Sequence, residues 1–182
     1  MSQKSLESNV LKQLFRAMGK HLQWDSDVDV LIVGGAALAL TSSLPPGRTT
    51  LDCDVMVYEP EEAEKAVEDA AKTAGRAFGL PDRWFNSDVQ WHEASLAEGW
   101  HERRRFVGRY GRLRIFAAGR EDLIVMKLIS GRAQDLQDVE TLIRADDVAF
   151  VRECLAELGN KSAVSEKVPD AFERLAALEP RQ

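Results

Sequence analysis

Cysteine is nearly missing: Cys53 and Cys154 are the only two in 182 residues. That excludes a disulfide framework, and with so few thiols no Cys/His zinc spacing exists. Both thiols are expected to be buried as small apolar residues. Histidine is almost as scarce, and His21, His92 and His101 lack ligand-like spacing, so none is given a role. No run of 18 apolar residues occurs, and the N-terminus lacks the charged, then apolar, then small-residue order of a leader. The expectation is therefore a cytoplasmic protein with no membrane partner. An excess of positive charge is absent too. With 24 Lys and Arg against 30 Asp and Glu the formal charge is -6, which excludes a protein that coats nucleic acid through a general basic field but leaves room for a local basic patch. No internal repeat and no low-complexity tract is present.

What the chain does have is apolar patterning. Hydrophobic residues make up 45%, enough for one compact core with a small helical appendage. Leu6, Val10, Leu14, Met18 and Leu22 recur every four residues and predict an amphipathic helix over 5–21. Strands are expected at 29–33 and 51–58, with a short buried helix at 35–40 and a loop at 42–50 between them. Pro60, Glu61 and Glu62 start a helix whose buried stripe runs through Ala63, Val67, Ala70, Ala74 and Phe78, and Gly79 and Pro81 stop it. Residues 82–100 hold Trp84, Phe85, Trp91 and Trp100 without a clean period and are read as irregular with a short helix. The four tryptophans are read as packing residues, since the chain is acidic. Residues 105–109 and 112–116 flank Tyr110 and Gly111 as a hairpin or two successive strands. Leu123 to Leu142 is one long helix or two, interrupted at Gly131, and two more helices follow at 147–158 and 170–178. The fold class is α/β (α+β): a small mixed sheet flanked by helices with a helical C-terminal part. The expected organisation is a domain over 1–145, including the N-terminal packing helix, with C-terminal helices over 146–182 packed on it.

The most informative residues are Gly34 and Gly35, which close the apolar run Val30 to Val33, and Asp52, Cys53 and Asp54, which stand in the next apolar run. Side chains along a strand alternate, so Asp52 and Asp54 are expected to project the same way with Cys53, Val55 and Val57 on the other side. Two carboxylates held so close repel unless a cation lies between them, and an all-oxygen pair suits Mg²⁺ or Mn²⁺. A glycine pair lets backbone approach a phosphate, with the following helix offering its first amides. Together these features suggest a grip on a nucleoside triphosphate through a metal. Arg48 suits either a phosphate clamp or an ion pair that tolerates Asp52. Lys127, between Met126 and Leu128, reads on its own as a lysine snorkelling from a core helix. Arg103, Arg104 and Arg105 read as a grip on RNA or triphosphate, or as a solvated face, the commoner use of a short charge run.

Gly34 and Gly35, the stretch Arg48 to Asp54 with Thr50, and Lys127 followed by Asp135 and Asp138 together resemble the nucleotidyltransferase superfamily, and within it the AbiEii-like group. Several members of that group are toxins of toxin–antitoxin or phage-defence systems. The resemblance covers roughly Val28 to Leu142 and implies that Gly34 and Gly35, with Arg48 and Thr50 near them, bind the triphosphate and that Asp52 and Asp54 hold the metal. It further implies that Lys127 contacts phosphate and that Asp135 or Asp138 supplies a later acid. If Lys127 to Asp138 is one continuous helix, eleven residues at about 100° each bring the two within roughly 20° on the wheel. If Gly131 breaks it, Asp135 becomes an N-cap instead.

The implied activity is transfer of a nucleoside monophosphate from an NTP to an acceptor that is RNA, protein or a small molecule, with an antitoxin as possible partner. One departure stands out. The strand at 112–116, where many active relatives carry a third acid, offers Arg112 and Arg114 instead. Asp135, Asp138, Asp88 or Glu93 would have to supply it. Otherwise the chain is a nucleotidyltransferase-like module that binds nucleotide or protein without catalysis.

Overall fold

A computed structural model describes residues 5–44, 48–88, 96–160 and 164–178. Two compact units make up the chain. One comprises Met1–Gln90 with Arg104–Ala118, the other Trp91–Arg103 with Gly119–Gln182. Residue 145, the expected boundary, falls within the second.

In the first unit, helix α1 (Ser8–His21) leads into β1 (Val28–Ile32), α2 (Gly34–Leu40), β2 (Cys53–Glu59), a 3₁₀ turn at Glu61–Ala63, α3 (Glu64–Ala77), β3 (Phe85–Asn86), β4 (Arg105–Tyr110) and β5 (Leu113–Ala117). The five strands form one mixed sheet in the order β3-β2-β1-β5-β4. β1 runs parallel to β5 and antiparallel to β2, β2 runs parallel to β3, and β4 and β5 form an antiparallel hairpin. Gly111, at φ 65°, turns that hairpin. The expected mixed sheet with flanking helices is thus the observed one.

One face of the sheet is wholly buried: Val28, Val30, Ile32, Val55, Leu113 and Ile115 are at most 1% exposed. Helix α1 packs there, its Phe15 ring 5.8 Å from Tyr110. Of the expected stripe Leu6, Leu14 and Met18 are buried, whereas Leu11 and Phe15 are buried in place of Val10 and Leu22, because 3.6 residues per turn drifts away from a strict period of four. Trp84 is buried as expected and donates its indole N–H to the Ala71 carbonyl at 2.9 Å. The sequence reading missed β3, whose two residues are too few to show any period; Trp91 lies outside the described residues.

The second unit is helical: α4 (Trp100–Arg103), α5 (Arg120–Ser130), α6 (Ala133–Leu142), α7 (Asp147–Leu158) and α8 (Val168–Leu178), the last preceded by a 3₁₀ turn. Gly131, at φ 66°, ends α5, its N–H bonded to the Lys127 carbonyl at 2.9 Å. Two helices, not one, therefore follow β5. Among the described residues no helix is long and apolar enough to cross a membrane.

Candidate functional site

β1 is tied to the start of β2 by a backbone bond from Val33 N–H to the Asp54 carbonyl at 3.0 Å. The chain then turns sharply. Gly34 adopts φ 63°, and a Cβ placed there would lie 2.8 Å from Asp54 Oδ2. A Cβ on Gly35 would lie 2.9 Å from Thr50 Oγ1. Both glycines are thus needed for the close approach of two side chains: Asp54 rests against the first and Thr50 against the second. The helix that follows, α2, has only seven residues.

Asp54 owes its direction to a slip in pairing. Leu31 pairs with Val57 but Ile32 pairs with Val55, so one extra residue of β2 is bulged at this point. Without the slip Asp54 would point into the buried face. With it, Asp54 shares the other face with Leu31, Val57 and Phe116, so Val57, expected opposite Asp54 with Cys53 and Val55, stands on the same side as it. The Asn86 amide lies 3.4 Å from Asp54 Oδ1, and nothing in the sequence pattern singled that residue out.

Asp52 is not in the strand. β2 begins at Cys53, and Asp52 is exposed in the bend before it, so the expectation of two acids alternating along one strand is corrected. The bend is held by Thr50, a buried residue whose hydroxyl donates to the Asp52 carbonyl at 3.0 Å and lies 3.5 Å from its Oδ1. A local hydroxyl-to-backbone bond of this kind favours turn over strand. Both carboxylates still reach the residue between them. The Cys53 thiol is pushed well up, first by burial and then by the charges of Asp54 and Asp52. Arg48, half-buried, stands four residues upstream of Asp52. Among the described residues no three His, Cys, Asp or Glu side chains are grouped to hold a metal.

The remaining expected residues lie in the helical unit. The Lys127 ammonium is bonded to Asp138 Oδ2 at 2.7 Å and to Asp135 Oδ1 at 2.8 Å, and Ser130 Oγ donates to Asp135 Oδ2 at 2.7 Å. Lys127 is 6% and Asp138 1% exposed, so this is a buried cation between two carboxylates. Lys127 and Asp138 meet although the helix between them is broken, so the wheel gave the right pair for the wrong reason. Asp135 is not the N-cap of α6. Arg132 holds that position, and the Asp135 carboxylate instead neutralises Lys127 and Arg132.

Of the arginine run, Arg105 is exposed on β4, while Arg103 and Arg104 are committed to carboxylates. Arg103 forks onto Asp122, with bonds of 2.7 and 3.0 Å, and donates to the carbonyls of Ala97 and Glu98. In the sheet unit Arg104 bonds Glu59 at 2.9 Å and Asp29 at 3.2 Å and lies over the Phe116 ring, while Arg114 of β5 also bonds Asp29. The strand on which a third acid would stand thus offers Arg114, bonded to an aspartate of β1 that Arg104 also neutralises. Asp88 pairs with Arg83, and Glu93 lies outside the described residues.

No curated protein and no solved structure shows significant similarity to the chain. A family model does, over residues 9–173, a stretch that takes in the glycine turn, both aspartates and the Lys127 cluster. The chain belongs to the family described as nucleotidyltransferase of unknown function (DUF6036).

Proposed function

We propose that the chain transfers a nucleoside monophosphate from a nucleoside triphosphate to an acceptor, with the Gly34–Gly35 turn, Asp52 and Asp54 as its working parts. The observation that carries this reading is the cradle at Gly34. The backbone there is bare where any side chain would collide with the Asp54 carboxylate at 2.8 Å, so the acid is seated directly against the turn. The donors around it are oxygens: Asp54, Asp52 exposed at the strand mouth, and Thr50 behind them. Oxygen donors of this kind fit Mg²⁺ or Mn²⁺, held by Asp52 and Asp54. When bound, the ion neutralises charge on the triphosphate and on the leaving pyrophosphate.

This chain's own groups do the rest. The glycine turn brings backbone close to the phosphates, and Arg48 lies on the segment that leads to Asp52. A bond forms between the acceptor oxygen and the α-phosphorus as the bond to the β-phosphate oxygen breaks; the acceptor's proton passes to an aspartate carboxylate and pyrophosphate leaves. Lys127 already carries two carboxylates, so we assign it, with Asp135 and Asp138, to holding α5 against α6 rather than to the phosphates. On the resemblance of its motifs we place the chain in the AbiEii-like group as a toxin-type enzyme with an antitoxin partner.

The test is a calorimetric titration with Mg²⁺–NTP, alongside incubation with labelled triphosphates, total RNA and cell extract. Asp52→Asn/Asp54→Asn is expected to abolish metal-dependent nucleotide binding and all label transfer while leaving the circular dichroism spectrum unchanged. Unaltered affinity in that variant would refute the assignment. A second reading, binding without transfer, is favoured by one observation: β5 carries Arg114 where an acid would stand, and that arginine is committed with Arg104 to Asp29. Binding by the wild type with no labelled product would establish it.

A further inference from the structure

The chain is acidic overall, yet α1 contains no acid. Its fourteen residues carry Lys12, Arg16 and Lys20 at intervals of four. Basic residues at the end of a helix complement its dipole, which accounts for Lys20 but not for Lys12 or Arg16, one and two turns earlier. Residues four apart lie one above another, about 6 Å along the axis, so the three cations form a row roughly 12 Å long. Arg16 and Lys20 are exposed and Lys12 is half-buried. Among the described residues none of the three has an ion-pair partner.

This row forms one wall of a groove of about 620 Å³ whose other wall is the edge strand β4, through Val107, Arg109 and Tyr110. The walls are fixed. A Cβ on Gly19 would lie 2.1 Å from the Tyr110 carbonyl oxygen, and one on Gly111 would lie 3.2 Å from the Gly19 carbonyl oxygen. Helix and hairpin therefore touch backbone to backbone, so the helix that carries the cations is held against the strand before any ligand arrives. The Tyr110 ring lies along the strand, its hydroxyl 3.0 Å from where a Gly108 Cβ would be. Burial pushes the Tyr110 hydroxyl's pKa up and the charge of Arg16 opposes that. Arg109 adds no free charge, because its guanidinium is committed to Asp27 at 2.7 Å and to the Gly111 carbonyl at 3.0 Å. Tyr110 pairs with Leu113 on the buried face of the sheet, so the groove lies on the opposite side of the sheet from Asp54.

We propose that this groove binds the phosphate backbone of a single-stranded RNA, a site separate from the one that holds the nucleotide. An evenly spaced row of unpaired cations on a rigid helix matches a polymer that repeats one charge per unit. An acidic protein segment would repeat its charges less regularly and would want an apolar centre larger than Val107 and Tyr110 provide.

The test is fluorescence anisotropy with a labelled short oligouridylate across a salt series. Single-strand binding loses affinity with a log–log slope of about -0.7 per contacted phosphate, so three contacts give roughly -2. In Lys12→Gln/Arg16→Gln/Lys20→Gln, on surface positions where glutamine keeps the helix, the slope is expected to fall to near zero and the affinity at low salt by more than about tenfold. Arg16→Gln alone, expected to lower the slope by about 0.7, keeps the test open should the triple variant not fold. Unchanged slope and affinity in either folded variant would overturn the site. Asp52→Asn/Asp54→Asn is expected to bind the oligonucleotide as the wild type does; loss of binding there would move the RNA to the nucleotide site and also overturn it. Polyglutamate is expected to compete poorly, and displacement as effective as by unlabelled RNA would reassign the groove to an acidic protein.

Discussion

At the scale of single residues, the site rests on two glycines that no other residue could replace without movement. Gly34 carries two constraints at once, the left-handed φ of 63° and a carboxylate 2.8 Å from where a Cβ would stand, whereas Gly35 carries only the second kind, against Thr50. This is why the glycine pair was legible: it ends an apolar run at a point where backbone has to come close to something. Asp52 was less legible, because an Asp-x-Asp pattern beside Val55 and Val57 reads as strand alternation, while a threonine two residues earlier can end the strand by bonding the Asp52 carbonyl. The face Asp54 takes was not legible at all, since it depends on a one-residue slip against β1 that appears only once the strands pair. Gly34→Ala is expected to cost about 1–2 kcal/mol from the left-handed backbone alone and to push Asp54 aside. Urea unfolding should show the loss of stability, and titration with Mg²⁺–NTP a weakened complex. Unaltered nucleotide affinity in a folded Gly34→Ala would mean that the approach of Asp54 to the turn is not what holds the ligand.

Elements were easiest to read where a period could repeat. The long helices α1, α3, α7 and α8 show it, and Gly131 was visible as an interruption because a left-handed residue after a lysine-bearing last turn is how many helices stop. What happens across the break was not visible. The Lys127 ammonium meets Asp135 and Asp138 from the neighbouring helix, and α5 is capped further by Arg174 of α8, which donates to the Leu128 carbonyl at 2.7 Å. A Cβ on Gly131 would lie 2.3 Å from that guanidinium carbon. Lys127 therefore joins α5 to α6, and its energetics are those of a buried pair. Lys127→Met leaves two carboxylates without their cation, one of them almost fully buried, and should cost about 3–5 kcal/mol. Lys127→Met/Asp138→Leu removes both charges and should cost less than the sum of the single changes, with a coupling of about 1–3 kcal/mol in a urea-denaturation cycle. Additive losses would show that the pair contributes little across the break. They would also free Lys127 for the phosphate role that the family resemblance implies.

Over the whole molecule, the alternation of strands and helices was readable in order, but their spatial arrangement was not. β5 pairs with β1 across most of the sheet unit's sequence, and residues 91–103 belong with the helices although they fall between strands; no local period records such distant pairings. Net charge hides detail in the same way, since a total of -6 averages over a helix that has no acid. The division into two units gives the proposed site its sharpest prediction, because its expected residues fall in both: the glycine turn and aspartates in the sheet unit, Lys127 and its acids in the helical one. A ligand stabilises what it binds by RT ln(1 + [L]/Kd), about 2.7 kcal/mol at a hundredfold excess over Kd, and amides that exchange through opening of the site slow by up to about a hundredfold. With Mg²⁺–ATP present, hydrogen exchange is expected to slow at 33–35 and 50–54 and to stay unchanged at 127–138. Lys127, already neutralised by two carboxylates, would have to release one of them to take a phosphate. Slowing at 127–138 equal to that at the glycine turn would show that it does so, and would make the lysine part of the nucleotide site rather than the pin between two helices.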